Sequence, residues 1–184
     1  MPSNLRSNAV RRARELATAR PLILDTETTG LNPLDEIIEI SLVDLDGKKL
    51  FETLIQPTRP IPADATRIHQ ITDDMVKNAP VWKNVWPQIE PLISSRYIGV
   101  YNADFDRRML RQTHQVHGIT WNEASARFFC IMKLYADFYP FGRGKYQKLE
   151  DAGRQCGIKL PNSHRAFDDA LLALEIFRYI ANTT

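Results

Sequence analysis

The sequence has few of the residues that mark secreted, membrane-spanning or low-complexity proteins. Only two of its 184 residues are cysteine, Cys130 and Cys156, which is too few for a disulfide scaffold and is typical of a reduced, intracellular protein. Unbroken apolar runs, such as residues 170–174, are far shorter than the roughly 18 residues that a membrane span needs. The start of the chain lacks the apolar stretch of a signal peptide, so we expect a cytoplasmic protein without membrane association.

The composition is that of an ordinary globular domain, with positive charge concentrated at one end. Hydrophobic residues are 43% and charged residues 25% of the chain, which excludes a mostly disordered or fibrous protein. The first 20 residues contain five arginines and one glutamate, whereas the other 164 contain 19 basic and 21 acidic side chains. The net charge of +2 is therefore a property of the N-terminal segment and does not indicate a basic nucleic-acid-coating protein.

The N-terminal segment has helical periodicity. Leu5, Ala9, Ala13 and Leu16 recur at the spacing of one helix face, which predicts a basic helical extension over residues 1–20. The main domain would then occupy residues 21–184. Three interpretations of the extension stay open: a helix packed on the domain, an arm that contacts nucleic acid, and an organelle transit segment.

Strand and helix patterns alternate through the rest of the chain. We predict strands at residues 21–24, 37–45, 50–55 and 97–101, and helices at 81–92, 102–116, 147–156 and 163–182. Asp46-Gly47 indicates a two-residue hairpin turn between the second and third strands. Residues 57–80 contain four prolines and predict a long loop, and residues 128–134 fit either a strand or a helix start. This order predicts an α/β fold with a sheet of mixed direction.

Two carboxylates lie at the end of the first predicted strand. Asp25 and Glu27 are two residues apart, so a strand places both side chains on one face. Two such groups repel each other unless one is protonated or a cation lies between them, and oxygen ligands of this kind suit Mg²⁺ or Mn²⁺. Taken alone, the pair would favour the simpler interpretation of a solvated strand end.

Two further acids and a histidine lie near the starts of predicted helices. Asp106 lies in the first turn of a predicted helix directly after a strand, where an acid is also favoured by the helix dipole. His164 and Asp169 are five residues apart, so they can face one site only if His164 precedes the helix and Asp169 lies in its first turns.

Together these segments resemble the motifs of the DEDDh-type 3′–5′ exonucleases, a family that includes the proofreading epsilon subunit of bacterial DNA polymerase III. The three motifs are Asp25-Thr-Glu-Thr-Thr-Gly30, Tyr101-Asn-Ala-Asp-Phe-Asp106 and His164-Arg-Ala-Phe-Asp-Asp169-Ala170. The matching acids of the second and third motifs are Asp106 and Asp169, not Asp104 and Asp168. Tyr101 stands where the family usually has histidine, a difference that concerns local packing or substrate contact. The resemblance covers residues 21–180.

The resemblance implies a ribonuclease-H-like fold, with a five-stranded mixed sheet flanked by helices. It also implies two divalent cations, Mg²⁺ or Mn²⁺, and hydrolysis of the phosphodiester bond at a nucleic-acid 3′ end. By resemblance, Asp25 would contact both cations, while Glu27 and Asp169 would complete one site. Asp106 would hold the other cation, and His164 would act as general base on the attacking water.

Substrate contacts are expected from Thr28, Asn102, Arg143 and Lys145. The last two lie in a basic stretch, residues 141–165, that could neutralise the phosphates of a single strand or could be an ordinary solvated loop. The first motif favours single-stranded DNA as substrate. The alternatives are an exoribonuclease that acts on RNA 3′ ends and a catalytically silent nucleic-acid-binding module. Association with a polymerase and formation of a homodimer are both left open.

Overall fold

The computed structural model describes residues 2–139, 146–159 and 164–183. The strands of this part of the chain are β1 (Leu22–Thr28), β2 (Ile37–Val43), β3 (Lys49–Leu54), β4 (Tyr97–Val100) and β5 (Arg127–Cys130). The helices are α1 (Pro2–Thr18), α2 (Ala63–His69), α3 (Asp73–Val76), α4 (Trp82–Ile93), α5 (Ala103–Val116), α6 (Ile131–Phe138), α7 (Leu149–Gln155) and α8 (Ala166–Asn182). A short 3₁₀ helix covers Glu123–Ser125.

The strands form one mixed sheet, which confirms the predicted fold class. Within the described residues the sheet has five strands in the order β3-β2-β1-β4-β5. β1 and β3 both pair antiparallel with β2, whereas β4 pairs parallel with β1 and with β5. β1 is therefore the central strand, and the residues at its carboxyl end can face helices on both sides of the sheet.

Helices cover both faces of the sheet, and the alternation of β1 separates the two cores. Ile23 packs into a cluster formed mainly by α1, α6 and α8. Its neighbours Leu22 and Leu24 point the other way, into a cluster formed by α4 and α5 that includes both Trp82 and Trp86. Side chains at odd positions of β1 therefore face α8, and those at even positions face α5.

Helix α1 belongs to the first of these cores. Its residues Ala9, Ala13 and Leu16 are buried against α6 and α8, as the helical periodicity predicted. The division of the chain into an extension at residues 1–20 and a domain at 21–184 stays a prediction. In the described part of the chain, no helix is both long and apolar enough to cross a membrane.

Residues 57–80 correct the sequence prediction of a long loop. They contain α2 and α3. Ala65 of α2, Val76 of α3 and Ile71 between the two helices form a buried cluster with Ile38 of β2. Pro62 occupies the N-cap position of α2, where a missing backbone N–H costs nothing. Helices of seven and four residues are too short to show a sustained apolar period, which is why the pattern did not reveal them.

The β2–β3 hairpin is present, but its turn is longer than two residues. Asp44 and Lys48 are joined by a backbone hydrogen bond of 3.0 Å, and Gly47 lies in the left-handed region at φ +83°. One Asp44 carboxylate oxygen accepts the backbone N–H groups of Asp46 and Lys48, both at 2.9 Å. The side chain of Asp44 therefore sets the turn, which explains the difference from the prediction based on Asp46-Gly47.

Candidate active site

Strand β1 places two carboxylates on the face covered by α8. Asp25 and Glu27 follow Ile23 at alternate positions, and they lie opposite Ser41 and Glu39 of β2. Both side chains are partly buried. The face shared by Asp25 and Glu27 was predicted from the period of a strand, and the structure confirms it.

Helix α8 brings a third carboxylate to the same place. Oxygen atoms of Asp25, Glu27 and Asp169 all lie within 4.8 Å of one another. Asp169 lies in the first turn of α8, and its Oδ1 atom is buried without a hydrogen-bond partner in the described structure. A buried acceptor without a donor is costly, and a cation beside it would satisfy it. The three carboxylates therefore fit a divalent cation in both ligand chemistry and spacing.

The fourth carboxylate reaches the site from the opposite face of β1. Asp106, in the first turn of α5, is only 4% exposed, and its Oδ1 accepts a 2.9 Å hydrogen bond from the Thr26 hydroxyl. Asp104 points outward instead and pairs with Lys133 at 2.6 Å. Of the two neighbouring acids, Asp106 is thus the one that faces the carboxylates of β1.

Burial and mutual repulsion favour the protonated forms of these acids when no cation is present. Burial raises the pKa of Glu27 to about 9 and that of Asp106 to about 7, and it raises the pKa of Asp169 to about 6. The pKa of Asp25 is raised well above its usual value, first by burial and then by the negative charges of Asp106, Glu27 and Asp169. Asp25 is therefore repelled by all three of the other acids.

His164 lies immediately before α8, at the edge of the carboxylate cluster. It has a left-handed backbone (φ +48°), and its side chain is 45% exposed. The Nε2 atom lies 3.9 Å from Glu150 Oε1 on α7. The positive charge of a protonated His164 would lower the pKa of Asp169, which shows that the two groups are close enough to interact. The five-residue spacing thus places His164 before the helix and Asp169 inside it, as predicted.

Tyr101, where the resemblance expected histidine, connects the second motif to the segment before α7. Its hydroxyl donates to the backbone oxygens of Gln147 at 3.0 Å and Lys148 at 3.3 Å, at the start of α7. Burial raises the pKa of the Tyr101 phenol, so the group stays a neutral donor. The tyrosine therefore ties the end of β4 to the helix that carries Glu150.

The expected substrate-contacting residues are only partly described. Thr28 is buried at the end of β1 and donates a 3.0 Å hydrogen bond to the backbone oxygen of Gly30. Asn102 is exposed at the N-cap position of α5. Arg143 and Lys145 lie outside the described residues.

The sequence reasoning missed two residues of this region, Glu39 and Arg165. Glu39 lies opposite Glu27 in the sheet and is almost completely buried, and it pairs with Arg165 next to His164. A charged residue in the mostly apolar strand Ile37–Val43 was the signal that could have revealed it, because buried carboxylates are rare unless they are paired.

Comparison with known proteins relates the chain to exonucleases. The RNase_T family model, described as an exonuclease, matches residues 22–177. An uncharacterized exonuclease, CP81, of Escherichia phage 186 is 38% identical over 182 residues, covering 92% of each chain. The DNA polymerase III epsilon subunit of Treponema pallidum (strain Nichols) is 35% identical over 164 residues, which are 83% of this chain and 72% of that protein.

Solved structures share the fold. Exonuclease X in complex with 5′ overhanging duplex DNA is 30% identical, with a TM-score of 0.66 over 89% of this chain and 93% of that one. The nuclease domain of 3′hExo, a DEDDh family member bound to rAMP, is 21% identical, with a TM-score of 0.69 over 85% and 89% of the two chains. The second likeness concerns the fold alone. The chain therefore belongs to the RNase_T exonuclease family.

Proposed function

We propose that the protein removes nucleotides from the 3′ end of single-stranded DNA with the help of two divalent cations, Mg²⁺ or Mn²⁺. The observation that carries this proposal is the convergence of Asp25, Glu27 and Asp169, whose oxygens lie within 4.8 Å of one another. Asp106 approaches the same strand from the other face, held by Thr26. Four acids with raised pKa values and one unpartnered buried oxygen match the ligands that such cations require.

The ligand roles in the proposal follow the resemblance to the family motifs. Asp25 would contact both cations, Glu27 and Asp169 would complete one site, and Asp106 would complete the second. When bound, the cations neutralise the charge of the phosphodiester and lower the pKa of the attacking water.

His164 accepts the proton of the attacking water in this proposal. Imidazole exchanges protons near neutral pH, and the side chain is exposed enough to meet a bound substrate. Glu150 Oε1 lies 3.9 Å from the Nε2 atom of this imidazole.

Substrate contacts belong to the proposal as well. Thr28 ends β1 one residue after Glu27, and Asn102 is the N-cap residue of the helix that carries Asp106. We assign to Arg143 and Lys145 the role of contacting backbone phosphates of the single strand.

The names of the relatives favour DNA over RNA. The Treponema pallidum relative is a subunit of a DNA polymerase, and the 30% identical exonuclease X was solved with DNA. The RNA-directed alternative is supported only by structures of lower identity, such as 3′hExo with rAMP. A silent binding module is disfavoured, because the carboxylates and His164 of the motifs are all present.

The same relatives suggest partners beyond the substrate. The epsilon relative is part of a polymerase, so we propose polymerase association as a partner interaction to test, with homodimer formation as the alternative. An intracellular location is part of the same proposal, since DNA and polymerases are found there.

One assay separates these functions. DNA and RNA oligonucleotides of the same sequence, labelled at the 5′ end, are incubated with protein in Mg²⁺, Mn²⁺ or EDTA. We expect a ladder of shortened DNA with either cation, slower cleavage of RNA and no cleavage in EDTA. Faster cleavage of RNA would favour the exoribonuclease, and binding without cleavage would favour the silent module.

The matched control for this assay is Asp25→Asn, which removes one negative charge without a change in size. Loss of a ligand for the cations should lower kcat at least about 10³-fold, since their effect amounts to several kcal/mol. Near-normal activity of Asp25→Asn, or full activity in EDTA, would contradict the metal-dependent proposal.

A further inference from the structure

Glu39 holds the start of α8 from a neighbouring strand. Its side chain is only 1% exposed, yet both of its oxygens have donors. Arg165 Nε lies 3.0 Å from Oε1 and 3.1 Å from Oε2, and Arg165 Nη2 also contacts Oε1. The backbone N–H of Ala166, the first residue of α8, donates to Oε2 at 2.9 Å.

This arrangement replaces the usual helix cap. Arg165 is the N-cap residue of α8, and no side-chain hydrogen bond of its own caps the helix. The first N–H groups of a helix need acceptors, and a carboxylate there is also favoured by the helix dipole. Glu39 supplies both from β2, so the N-terminal turn of α8 is fixed to the sheet.

The fixed turn lies between two groups of the active site. His164 comes directly before Arg165, and Asp169 lies one turn beyond it on α8. Glu39 lies opposite Glu27 in the β1–β2 register. The Glu39–Arg165 contact therefore joins β2, the strand beside Glu27, to the segment that carries His164 and Asp169.

The charge of the pair has a second consequence. Glu39 would be a fifth carboxylate beside the cluster if it were unpaired. Its charge raises the pKa of Glu27, and the charge of Arg165 lowers it. The guanidinium thus offsets the added negative charge and occupies both oxygens of Glu39, so that this acid does not compete with the four carboxylates for cations.

We infer that Glu39 and Arg165 are positioning residues, which hold His164 and Asp169 in register with the carboxylates of β1. This inference rests on the proposed function, because it assigns these two residues a role at the same site. Neither residue contacts the reacting atoms. Their effect passes through the N-terminal turn of α8.

The test compares Arg165 with a second arginine of the same helix. Arg178 also connects α8 to the β2 side of the sheet, since its Nε donates to the backbone oxygen of Leu45 at 3.1 Å. It pairs with Glu175, and its side chain is 33% exposed, against 36% for Arg165. Arg178 lies more than three helical turns farther along α8, so Arg178→Met is a matched control for Arg165→Met.

Three readouts are measured for each variant. These are kcat and KM on single-stranded DNA, the Mn²⁺ dissociation constant in the absence of DNA, and the midpoint of thermal unfolding. Arg165→Met should lower kcat about 100-fold, because displacements near 1 Å have effects of this order. It should weaken Mn²⁺ binding at least about tenfold, which is the smallest effect typical of losing a residue that supports a metal ligand. KM should change less than about threefold. Arg178→Met should lower the unfolding midpoint but leave kcat and Mn²⁺ affinity within about twofold, since surface contacts far from the site have small effects.

Two further variants keep the inference testable if Arg165→Met folds poorly. Arg165→Lys keeps the charge but loses the two-point contact, so it should restore part of kcat and Mn²⁺ affinity. Glu39→Gln combined with Arg165→Met should be no less active than Arg165→Met alone, because the neutral amide leaves no unpaired buried charge.

The outcomes distinguish the inference from the function on which it rests. If Arg165→Met and Arg165→Lys lose only thermal stability, as Arg178→Met does, the pair is purely structural and the inference is wrong. If the wild-type protein itself neither binds Mn²⁺ nor cleaves DNA, the proposed function fails instead.

Discussion

The Thr26 hydroxyl donates a hydrogen bond of 2.9 Å to Asp106 Oδ1, across 80 residues of sequence. Thr26 faces α5, whereas its neighbours Asp25 and Glu27 face α8. β1 thus carries Asp25 and Glu27 on one face, and Thr26 on its other face holds Asp106. This hydrogen bond also lowers the pKa of Asp106, against the larger effect of burial, and so favours the ionised form that a cation needs.

Thr26→Val should therefore weaken the site without a change in side-chain shape. The variant leaves Asp106 buried with one donor fewer, and hydrogen bonds to charged groups contribute about 1.5–3 kcal/mol. We expect kcat at limiting Mg²⁺ to fall about 10- to 100-fold, and saturating Mg²⁺ to restore part of it. Thr26→Ser keeps the hydroxyl and should retain most activity. An unchanged Mg²⁺ requirement in Thr26→Val would show that the hydroxyl does not support Asp106.

The neighbouring acids of α5 should respond differently to the same substitution. Asp106→Asn removes a buried acid of the proposed metal site and should lower kcat by at least about 10³-fold. Asp104→Asn breaks only the exposed pair with Lys133, and surface pairs of this kind contribute about 0–1 kcal/mol. Its activity should stay within about tenfold of wild type. The comparison uses kcat on single-stranded DNA, and the reverse order would mean that the second motif is misaligned.

Local patterns in the sequence were sufficient to predict where much of the site lies. The period of two in β1 put Asp25 and Glu27 on one face, and the five-residue spacing put His164 before α8 and Asp169 inside it. The choice of Asp106 over Asp104 needed the family motif, because both acids lie in the first turn of α5. Only the packing of that helix against β1 shows which of the two faces inward.

Long-range contacts explain what the sequence did not reveal. Glu39 and Arg165 are 126 residues apart, and neither residue type alone predicts the other as its partner. The hydrogen bond of Tyr101 to the start of α7 likewise joins segments 46 residues apart. Strand and helix periods describe one element at a time, so they do not predict which buried charge pairs with which arginine.

The anchoring of α1 predicts an effect on stability alone. Arg14 donates from Nε to the backbone oxygen of Ala181 at 3.0 Å and from Nη2 to that of Thr183 at 2.7 Å, at the C-terminal end of α8. Because Arg14 is exposed, Arg14→Ala should lower the free energy of unfolding by only about 0.5–1.5 kcal/mol, as measured with urea. Arg12→Ala removes an exposed arginine of the same helix that pairs with Glu15, and it should change the free energy of unfolding by less than about 0.5 kcal/mol. Equal effects of the two substitutions would show that the contact with α8 contributes nothing.

The raised pKa values predict how cations and pH act together on stability. Burial raises the pKa to about 9 for Glu27, about 7 for Asp106 and about 6 for Asp169, whereas unfolded carboxyl groups titrate near 4. The folded protein without cations therefore holds more protons than the unfolded chain. The stability contributed by these groups is complete below about pH 4 and is lost as the pH rises through about 6, 7 and 9. Cations that pair with the ionised acids should offset this loss.

The stabilisation by Mn²⁺ should consequently be larger at pH 8 than at pH 5. The measurement is the free energy of unfolding in urea, with Mn²⁺ and with EDTA, at both pH values, and the difference between the two conditions removes the contribution of other titrating groups. At pH 8 and a free Mn²⁺ concentration of 100 times the dissociation constant, each cation site should add about 2.7 kcal/mol to the free energy of unfolding. Glu27→Gln serves as the control: it should raise the stability in EDTA at pH 8, because the neutral amide, unlike the carboxyl group, needs no proton from solution to be buried uncharged, and it should reduce the gain from Mn²⁺. A gain that is the same at pH 5 and pH 8, or undiminished in Glu27→Gln, would show that Mn²⁺ binds elsewhere.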